Sequence, residues 1–529
     1  MSDHDGAQGP APRSTSGLSR RTFTVGVLMT AGGLAVGGCD FGGGGGGSSS
    51  STPSGALDVG ETSAPTSIDP TKGGGESKTF FEPAYDPLIY LAGDGSLKPR
   101  LATSWKYLDS TNRSFEMTLR KGVVFSDGAP LNAAAVKANI EYAKSAGTQV
   151  SPFMTTISTV SAVDDHTVQL HLSESHPLLP LLFSQQYFAG NMISPKAIAT
   201  PDKLAKNTYG AGQYVLSSGQ TTTGDHYTYV KNGKYWQPGQ VQYEKVVVKV
   251  LPNENTALAA LKTGQVDAVH GSYAIADAAK SASLTVAASP SIVMGIQLND
   301  RGGTLSRPLA DVRVRQALNY AVDRAKLAKA LFGQYGIATE QPAAPGQDGY
   351  NDSTVYHYDP AQARHLLSAA GYAGGFTLPV VISSGNPYGT NLLQAMGEQF
   401  AKVGVKLSIQ TKVQAQFFPS LDKYPASIMG WGVAPIYFMG RNLWLRDAVG
   451  MNPFHSTDPT VERLDRQATA AHGEAQASLD RQIVRRLVDL AWFVPVVLSP
   501  QFLFTRTSVH TGAEKGEPLP SVYAWQHSG

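Results

Sequence analysis

The chain has almost no cysteine: of its 529 residues only Cys39 carries a thiol. The rest of the chain therefore cannot form a disulfide bond, and no cysteine-based metal or redox centre is open to it. Charge of one sign is also missing, since the formal net charge is +2 and no lysine or arginine run alternates with aromatic residues. That balance argues against nucleic acid as a partner.

Long apolar runs are scarce as well. The stretch 25–36 is apolar or small, but at about 12 residues it is too short to cross a bilayer as a helix, which takes about 20. No later run reaches about 18 apolar residues. We therefore expect a soluble body that is held to a membrane only by lipid.

Motifs of catalysis are missing too. The sequence contains no G-x-S-x-G nucleophile elbow and no G-x-x-x-x-G-K-[ST] phosphate loop. His166, His171 and His176 recur every five residues without an H-E-x-x-H spacing, so no metal site is predicted. Asp164 and Asp165 lie between alternating apolar residues and predict a hairpin turn rather than a catalytic pair. Neither an enzyme nor a cofactor is predicted from these residues, although a hydrolase stays open because glycosidase carboxylates come from distant positions.

What the sequence does have begins with an export signal. Arg20 and Arg21, followed by Phe23, form the pattern of a twin-arginine signal, which a translocation receptor reads. The apolar stretch 25–36 behind them fits the h-region of a signal peptide. We predict export in place of membrane spanning.

The cysteine follows directly. Val36-Gly37-Gly38 before Cys39 have the small-residue character of a bacterial lipoprotein cleavage box. Residues 1–39 are therefore predicted to be a twin-arginine lipoprotein signal peptide, with Cys39 as the lipid-bearing residue. Residues 40–54 are almost all glycine and serine and predict a flexible linker. The predicted location is extracytoplasmic, anchored by lipid to the outer face of the cytoplasmic membrane.

The body is long enough for several domains, because about 475 residues follow residue 54. Strand-like runs such as 246–250 alternate with helical stretches such as 255–262, which favours a mixed α/β architecture. Alternation over 115–119 predicts a strand, and Asn132 predicts the N-cap of a helix.

A series of motifs runs through the body in one order. They are Ile68-Asp69-Pro70, 97–105, 115–131, 209–216, Asn232 to Trp236, 259–268 and 309–324. This series resembles the peptide- and nickel-type extracellular solute-binding proteins of ABC importers. The resemblance covers nearly the whole mature chain.

The resemblance implies a two-lobed α/β fold like that of periplasmic binding proteins, with a hinge and an extra inserted domain. Lobe I is expected at about 55–80, 206–288 and 497–529, the inserted domain at 81–205 and lobe II at 289–496. Ligand would bind between the lobes and shift an open–closed equilibrium. The implied protein is a monomer with no enzymatic activity, and its partners are a small or peptide-like solute and ABC permease subunits.

The same resemblance implies two ligand-binding backbone segments, along which peptides lie as an added strand. Aromatic side chains near the second segment, and a loop expected after the strand 380–382, complete the predicted site. Its residues are Gly73, Gly74 and Gly75 in the first segment, Gly430, Trp431, Gly432 and Ala434 in the second, Tyr437 beyond it, and Asn386 and Tyr388 in the loop.

One position departs from the family. Peptide binders carry an aspartate that pairs with the free α-amine of the ligand, and this chain has Ala434 there. A buried ammonium without its carboxylate loses several kcal/mol. This departure disfavours ordinary peptides and leaves a blocked peptide, a sugar, a heterocycle or a metal chelate as candidates. Trp431 and Phe438 are alternatively part of a lobe core.

Three functions fit the sequence. The first is a lipid-anchored solute receptor that delivers its ligand to an ABC permease. The second is a secreted lipoprotein hydrolase acting on glycans or peptides. The third keeps the receptor fold but passes the closed state to a signalling partner.

Overall fold

The computed structural model describes residues 55–72, 77–146, 151–384, 386–448, 450–511 and 525–527. The predictions for Arg20, Arg21, Cys39, the linker, and Gly73, Gly74 and Gly75 lie outside these residues.

The described residues form strands in both halves of the chain. The strands are β1 (Ala56–Glu61), β2 (Ile89–Leu91), β3 (Leu97–Pro99), β4 (Ala102–Tyr107), β5 (Ser114–Leu119), β6 (Ile157–Asp164), β7 (Thr167–Leu172), β8 (Tyr214–Leu216), β9 (His226–Lys231), β10 (Lys245–Val250), β11 (Ala268–Gly271), β12 (Thr285–Leu298), β13 (Ile337–Ala338), β14 (Phe376–Ser383), β15 (Val405–Lys412), β16 (Ala426–Gly432), β17 (Phe493–Thr505), β18 (Val509–His510) and β19 (Gln526–His527).

Helices alternate with these strands. They are α1 (Lys78–Phe81), α2 (Ala133–Ser145), α3 (Ser151–Met154), α4 (Leu179–Leu182), α5 (Pro195–Ile198), α6 (Glu254–Thr263), α7 (Ala276–Ser281), α8 (Val312–Tyr320), α9 (Arg324–Phe332), α10 (Pro360–Ala369), α11 (Pro387–Ala401), α12 (Gln414–Phe417), α13 (Ile436–Met439), α14 (Pro459–Ala470) and α15 (Gly473–Asp489). A π-helical turn, Gly440–Trp444, continues α13.

One large sheet runs through most of the body, in the order β15-β14-β16-β12-β17-β11-β1-β10-β9-β8, with β13 added beside β17. We call β8, β9, β10, β1 and β11 the first half-sheet and β16, β14 and β15 the second half-sheet. β12 and β17 are the longest strands, at 14 and 13 residues, and their pairing joins the two halves. We call this pair the ribbon.

The ribbon is interrupted where the two half-sheets meet. Pro290 lies opposite Pro500, and the register shifts between Pro290 and Ile292. A proline has no backbone N–H to give to a ladder, so prolines in sheets are confined to edges and bulges. The register shifts a second time between Met294 and Gly295, so the ribbon consists of three ladder segments, and the break at the proline pair is the one that lies where the half-sheets meet.

The two half-sheets point their carboxyl ends at each other. β11 runs antiparallel to β17, and β16 runs antiparallel to β12. β11 ends at Gly271, which pairs with Phe502 of β17; since Phe502 also pairs with Ala288, β11 ends at the level of Ala288 on β12. β16 ends at Gly432, which pairs with Ile292, so it ends at the level of Ile292 on β12. Those levels are four residues apart along β12, or about 13 Å. A crevice at the carboxyl ends of strands is where open α/β sheets bind ligands.

Residues 81–205, which we call the inserted segment, have their own four-stranded sheet, β4-β5-β7-β6. The helix predicted from Asn132 is confirmed, because the Asn132 side chain accepts the Ala135 N–H at 3.0 Å at the start of α2. The turn predicted at Asp164 and Asp165 is confirmed between β6 and β7. The core of this segment is made by apolar side chains of its sheet and of α2.

A buried carboxylate fixes the inserted segment to residues beyond 206. Asp86 is fully buried, and its two oxygens each lie 3.1 Å from the Arg100 guanidinium. The same carboxylate accepts the Trp236 Nε1–H at 2.9 Å and the Tyr235 hydroxyl at 3.2 Å. Arg120 lies over the Trp236 ring at 4.2 Å.

Within the described ranges, no helix combines the length and the apolar character needed to cross a membrane. The residue boundaries given above for the lobes and the inserted domain stay predictions.

Candidate functional site

The end of β16 presents bare backbone to the crevice. Gly430 and Gly432 are exposed, and a Cβ atom added at either would meet nothing within 4 Å. Alternation along the strand sends the Trp431 side chain to the opposite face, where its ring lies 5.2 Å from that of Phe493. Trp431 is therefore half-buried against the core, in agreement with the alternative that it is part of a lobe core. The open face of the strand end is formed by the two glycines.

One edge of this strand is also without a partner strand. β14 pairs with β16 at Ala426 and Ser427, and no further pairing between the two strands extends to Gly430 or Gly432 within the described residues. The main-chain groups at the end of β16 are thus placed to pair with an extended ligand.

Asn386 and Tyr388 lie at the same edge as the glycines, because β14 and β16 are parallel neighbours and their carboxyl ends meet. The loop predicted there is wrong. Asn386 caps α11, accepting the Gly389 N–H at 2.8 Å, and Pro387 is the first helical residue. An asparagine followed by proline at the first helical position is a helix-start signal.

Tyr388 makes contact across the crevice. Its ring lies 5.9 Å from that of Phe332 on its own side and 6.0 Å from that of Tyr273, which follows β11 in the first half-sheet. Burial raises the pKa of the Tyr388 hydroxyl. The tyrosine therefore stays protonated and can donate a hydrogen bond.

The first half-sheet contributes a pair that the sequence analysis missed. Nδ1 of His270, on β11, lies 2.6 Å from Oε1 of Glu61, at the end of β1. The two residues are 209 positions apart, so only the parallel pairing of β1 with β11 brings them together. Polar residues at the carboxyl ends of two strand-like runs were the available signal.

Three buried polar atoms around the crevice have no hydrogen-bond partner in the structure: His270 Nε2, Ser291 Oγ and Trp431 Nε1. They belong to β11, β12 and β16, and each of these strands borders the crevice. The Ser291 carbonyl does have a partner, since it accepts the Val433 N–H at 2.7 Å. Buried polar groups are normally paired, so these three are candidates for bonding to a ligand.

Tyr437 and Phe438, which we call the plug, leave the second half-sheet and enter the inserted segment. Phe438 is 1% exposed, and its ring centroid lies 5.0 Å from Phe153 and 4.6 Å from Tyr187. The Tyr437 ring lies 4.8 Å from His176. Phe438 is thus a core residue, in agreement with the alternative to a ligand-binding role. The core that it joins is that of the inserted segment and not that of a lobe. We call Phe153, His176 and Tyr187 the socket.

A cavity of about 600 Å³ opens beside the plug, between the inserted segment and the region of α13 and α14. Among the predicted site residues that the structure describes, Tyr437 alone lines it. Its polar lining residues carry both signs of charge. They are Arg113, Thr155, Thr156, Glu174, Ser175, His176, Arg441, Asp447, Glu462, Asp465, Arg466 and Thr469.

Burial sets the protonation of two groups in this cavity. His176 is 1% exposed, and its burial lowers the pKa of its imidazole to about 3, so the ring is neutral at ordinary pH. Burial also raises the pKa of the Asp465 carboxyl. Arg441 opposes that rise, with its Nη1 3.4 Å from the carboxylate and its guanidinium 3.6 Å from the centre of the Tyr437 ring.

Residues 96–444 match the sequence family of bacterial extracellular solute-binding proteins, family 5 (middle region). The chain belongs to this family. The glutathione-binding protein GsiB of Salmonella typhimurium is 31% identical to it over 351 residues, which are 65% of this chain and 67% of that protein.

Solved structures of other binding proteins have the same fold. The periplasmic binding protein DppA of Helicobacter pylori, in complex with peptide STSA, matches with a TM-score of 0.76 and 21% identity over 90% of this chain and 98% of its own. NikA of Brucella suis, in complex with Fe(III)-EDTA, matches with a TM-score of 0.75 and 20% identity over 89% and 99%. The predicted two-lobed α/β fold of a periplasmic binding protein is confirmed.

Membership in this family assigns the chain to the extracytoplasmic solute-binding proteins, and its relatives are binding proteins rather than enzymes. Among the residues that the structure describes, no three histidine, aspartate or glutamate side chains are grouped closely enough to hold a metal ion.

Proposed function

We propose that this family 5 protein is the lipid-anchored receptor of an ABC importer and that it captures a peptide-like solute in the crevice between its lobes. The bare end of β16 carries the proposal. Two exposed glycines leave the main chain of the second lobe open to a ligand that adds itself as a strand.

A main-chain site of this kind selects for a backbone and not for particular side chains. It offers N–H and C=O groups at strand spacing, which a peptide can meet and a sugar ring cannot meet in register. The unpartnered Ser291 Oγ, on β12 between the two half-sheets, adds a hydrogen-bond donor for the ligand.

The relatives point to the same class of ligand. GsiB is named for glutathione, a tripeptide, and DppA was solved with peptide STSA. Both ligands are short and have a peptide backbone. Measured along β12, the two strand ends stop about 13 Å apart, which suits a ligand of three or four residues that lies in that direction.

Anchoring and delivery complete the proposal. Arg20 and Arg21 would direct export, and Cys39 would carry the lipid on a linker of residues 40–54. A monomer with two lobes would then present its closed form to the permease subunits.

Replacing the glycines tests the site directly. Gly432→Val and Gly430→Val place side chains in open space, so each variant should keep its melting temperature and lose affinity at least tenfold. Gly239→Val is the control, because its added side chain also meets nothing and lies away from the crevice. Binding is measured by calorimetry with glutathione and peptide STSA, and recovery of unchanged ligand separates a receptor from a hydrolase. Undiminished affinity in both glycine variants would remove the end of β16 from the site.

A further inference from the structure

Position 434 offers no carboxylate to the amine of a peptide-like ligand, but the cavity beside the plug contains one. Ala434 packs against the core of the inserted segment, and three residues later Tyr437 lines the polar cavity. Asp465 lies in that cavity and is 8% exposed. A buried carboxyl group, absent at Ala434, therefore lines the cavity that Tyr437 also lines.

The cavity wall includes buried polar atoms that form no hydrogen bond within the described residues. Both ring nitrogens of His176 and the hydroxyl of Thr156 are buried and have no hydrogen-bond partner in the structure. A neutral imidazole has one lone-pair nitrogen, and a hydroxyl and a carboxylate accept as well. Together these groups match the three N–H donors of a primary ammonium.

The cavity also holds a guanidinium with one N–H left over for hydrogen bonding, and two further arginines. Nε of Arg441 is buried without a hydrogen-bond partner, although Nη1 of the same side chain is bonded to Asp465 and to the Tyr437 carbonyl. Arg113 and Arg466 stand exposed at the rim. Guanidinium groups pair with carboxylates through short, charge-assisted hydrogen bonds.

We propose that this cavity binds a zwitterionic amino-acid head group, in which an ammonium and a carboxylate share one carbon. The ammonium lies among Asp465, His176 and Thr156, and the carboxylate faces Arg441 and the rim arginines. The inference rests on the proposed function and narrows its ligand. Glutathione has such a head group, because its first residue is joined through the side-chain carboxyl, whereas an ordinary peptide keeps only the ammonium.

The site is assembled from two bodies. His176 and Thr156 belong to the inserted segment, whereas Arg441 and Asp465 belong to the region that carries the plug. A ligand held by both bodies binds the closed form better than the open form, which is the differential affinity that a population shift requires. Recognition of the head group thus favours closure.

A pair of threonine variants of the full chain tests the proposal. Thr156→Val replaces an unpartnered hydroxyl by a methyl group, so thermal stability should hold or rise while the Kd for glutathione weakens tenfold or more. Thr505→Val is the matched control, since Thr505 Oγ1 is also buried and unpartnered but lies on β17, outside the cavity. If Thr156 had only a structural role, Thr156→Val would not combine a retained or raised thermal stability with a weaker Kd for glutathione.

Ligand variants complete the test. Glutathione should bind at least tenfold better than N-acetylglutathione and than its isomer joined through the α-carboxyl group. If the wild-type chain binds neither glutathione nor peptide STSA, the proposed function fails. The head-group inference alone is overturned by either of two results. In the first, the chain binds either ligand, but Kd is unchanged by Thr156→Val, by N-acetylation and by the α-linkage. In the second, the chain binds STSA and does not bind glutathione.

Discussion

Phe438 holds the inserted segment against the second lobe, and its removal should open the crevice. The buried Asp86 fixes the inserted segment to Tyr235 and Trp236, which follow β9 of the first half-sheet. Toward the second lobe the described residues show two hydrogen bonds, from the Tyr437 hydroxyl to the Ser175 carbonyl and from Ser175 Oγ to the Thr469 carbonyl, each 3.3 Å long. The plug in its socket therefore supplies most of that contact.

The magnitude follows from burial. A phenylalanine side chain buries roughly 150 to 250 Å², and at about 25 cal/mol per Å² its full burial is worth about 4 to 6 kcal/mol. Because the rings of Phe153 and Tyr187 that pack on Phe438 both come from the inserted segment, we assign about 3 kcal/mol to docking. That free energy corresponds to about a hundredfold in the closed–open equilibrium.

Phe438→Ala should therefore weaken the apparent affinity for ligand by up to about a hundredfold. The ligand-free variant should also show a larger radius of gyration in small-angle scattering. Phe418→Ala is the control, because that ring is 56% exposed and its removal should change neither quantity. A lower melting temperature with unchanged affinity and radius would refute the reasoning and make the plug a purely structural contact.

Three further predictions follow. Asp86→Asn removes the buried carboxylate that pairs with the Arg100 guanidinium, so urea denaturation should show a loss of about 3 kcal/mol, and a loss under about 1 kcal/mol would contradict this. Burial raises the pKa of Asp480 to about 7, so the folded state keeps a proton that the unfolded state has lost, and stability falls as pH rises from about 4 to 7. Asp480→Asn should thus be about 2 kcal/mol more stable than wild type at pH 8 and equal to it at pH 4; a gain independent of pH would exclude this cause. Trp431→Ala should weaken binding by about 2 kcal/mol without loss of fold, with some loss of melting temperature because the ring packs on Phe493, and unchanged affinity would remove it from the site.

Local features of the fold were predictable from the sequence because their causes are local. Asn132 caps α2 through a backbone N–H three residues ahead, and Asp164 turns a hairpin whose strands lie on either side of it. The loop prediction at Asn386 is wrong for an equally local reason, because Asn386-Pro387 is a helix-start pattern and α11 begins there.

The site was predictable only in part, because its parts meet through the tertiary structure. The parallel pairing of β14 with β16 places Gly430 and Asn386 at one edge of the sheet, and the sequence alone does not show which strands pair. The partners of Phe438 lie far earlier in the chain, in a segment with its own sheet, and no periodicity near residue 438 encodes them. The pairing of Glu61 with His270 likewise depends on which strands lie side by side.

The proline pair in the ribbon has a mechanical consequence. Pro290 and Pro500 face each other at the level where the half-sheets meet, and neither has an N–H to lose. Bending the molecule at this level therefore breaks few backbone hydrogen bonds, and the lobes can swing at little enthalpic cost. A hinge that resists so little leaves most of the free energy of ligand contact available as affinity, so a weakly bonded, short solute can still hold the receptor shut.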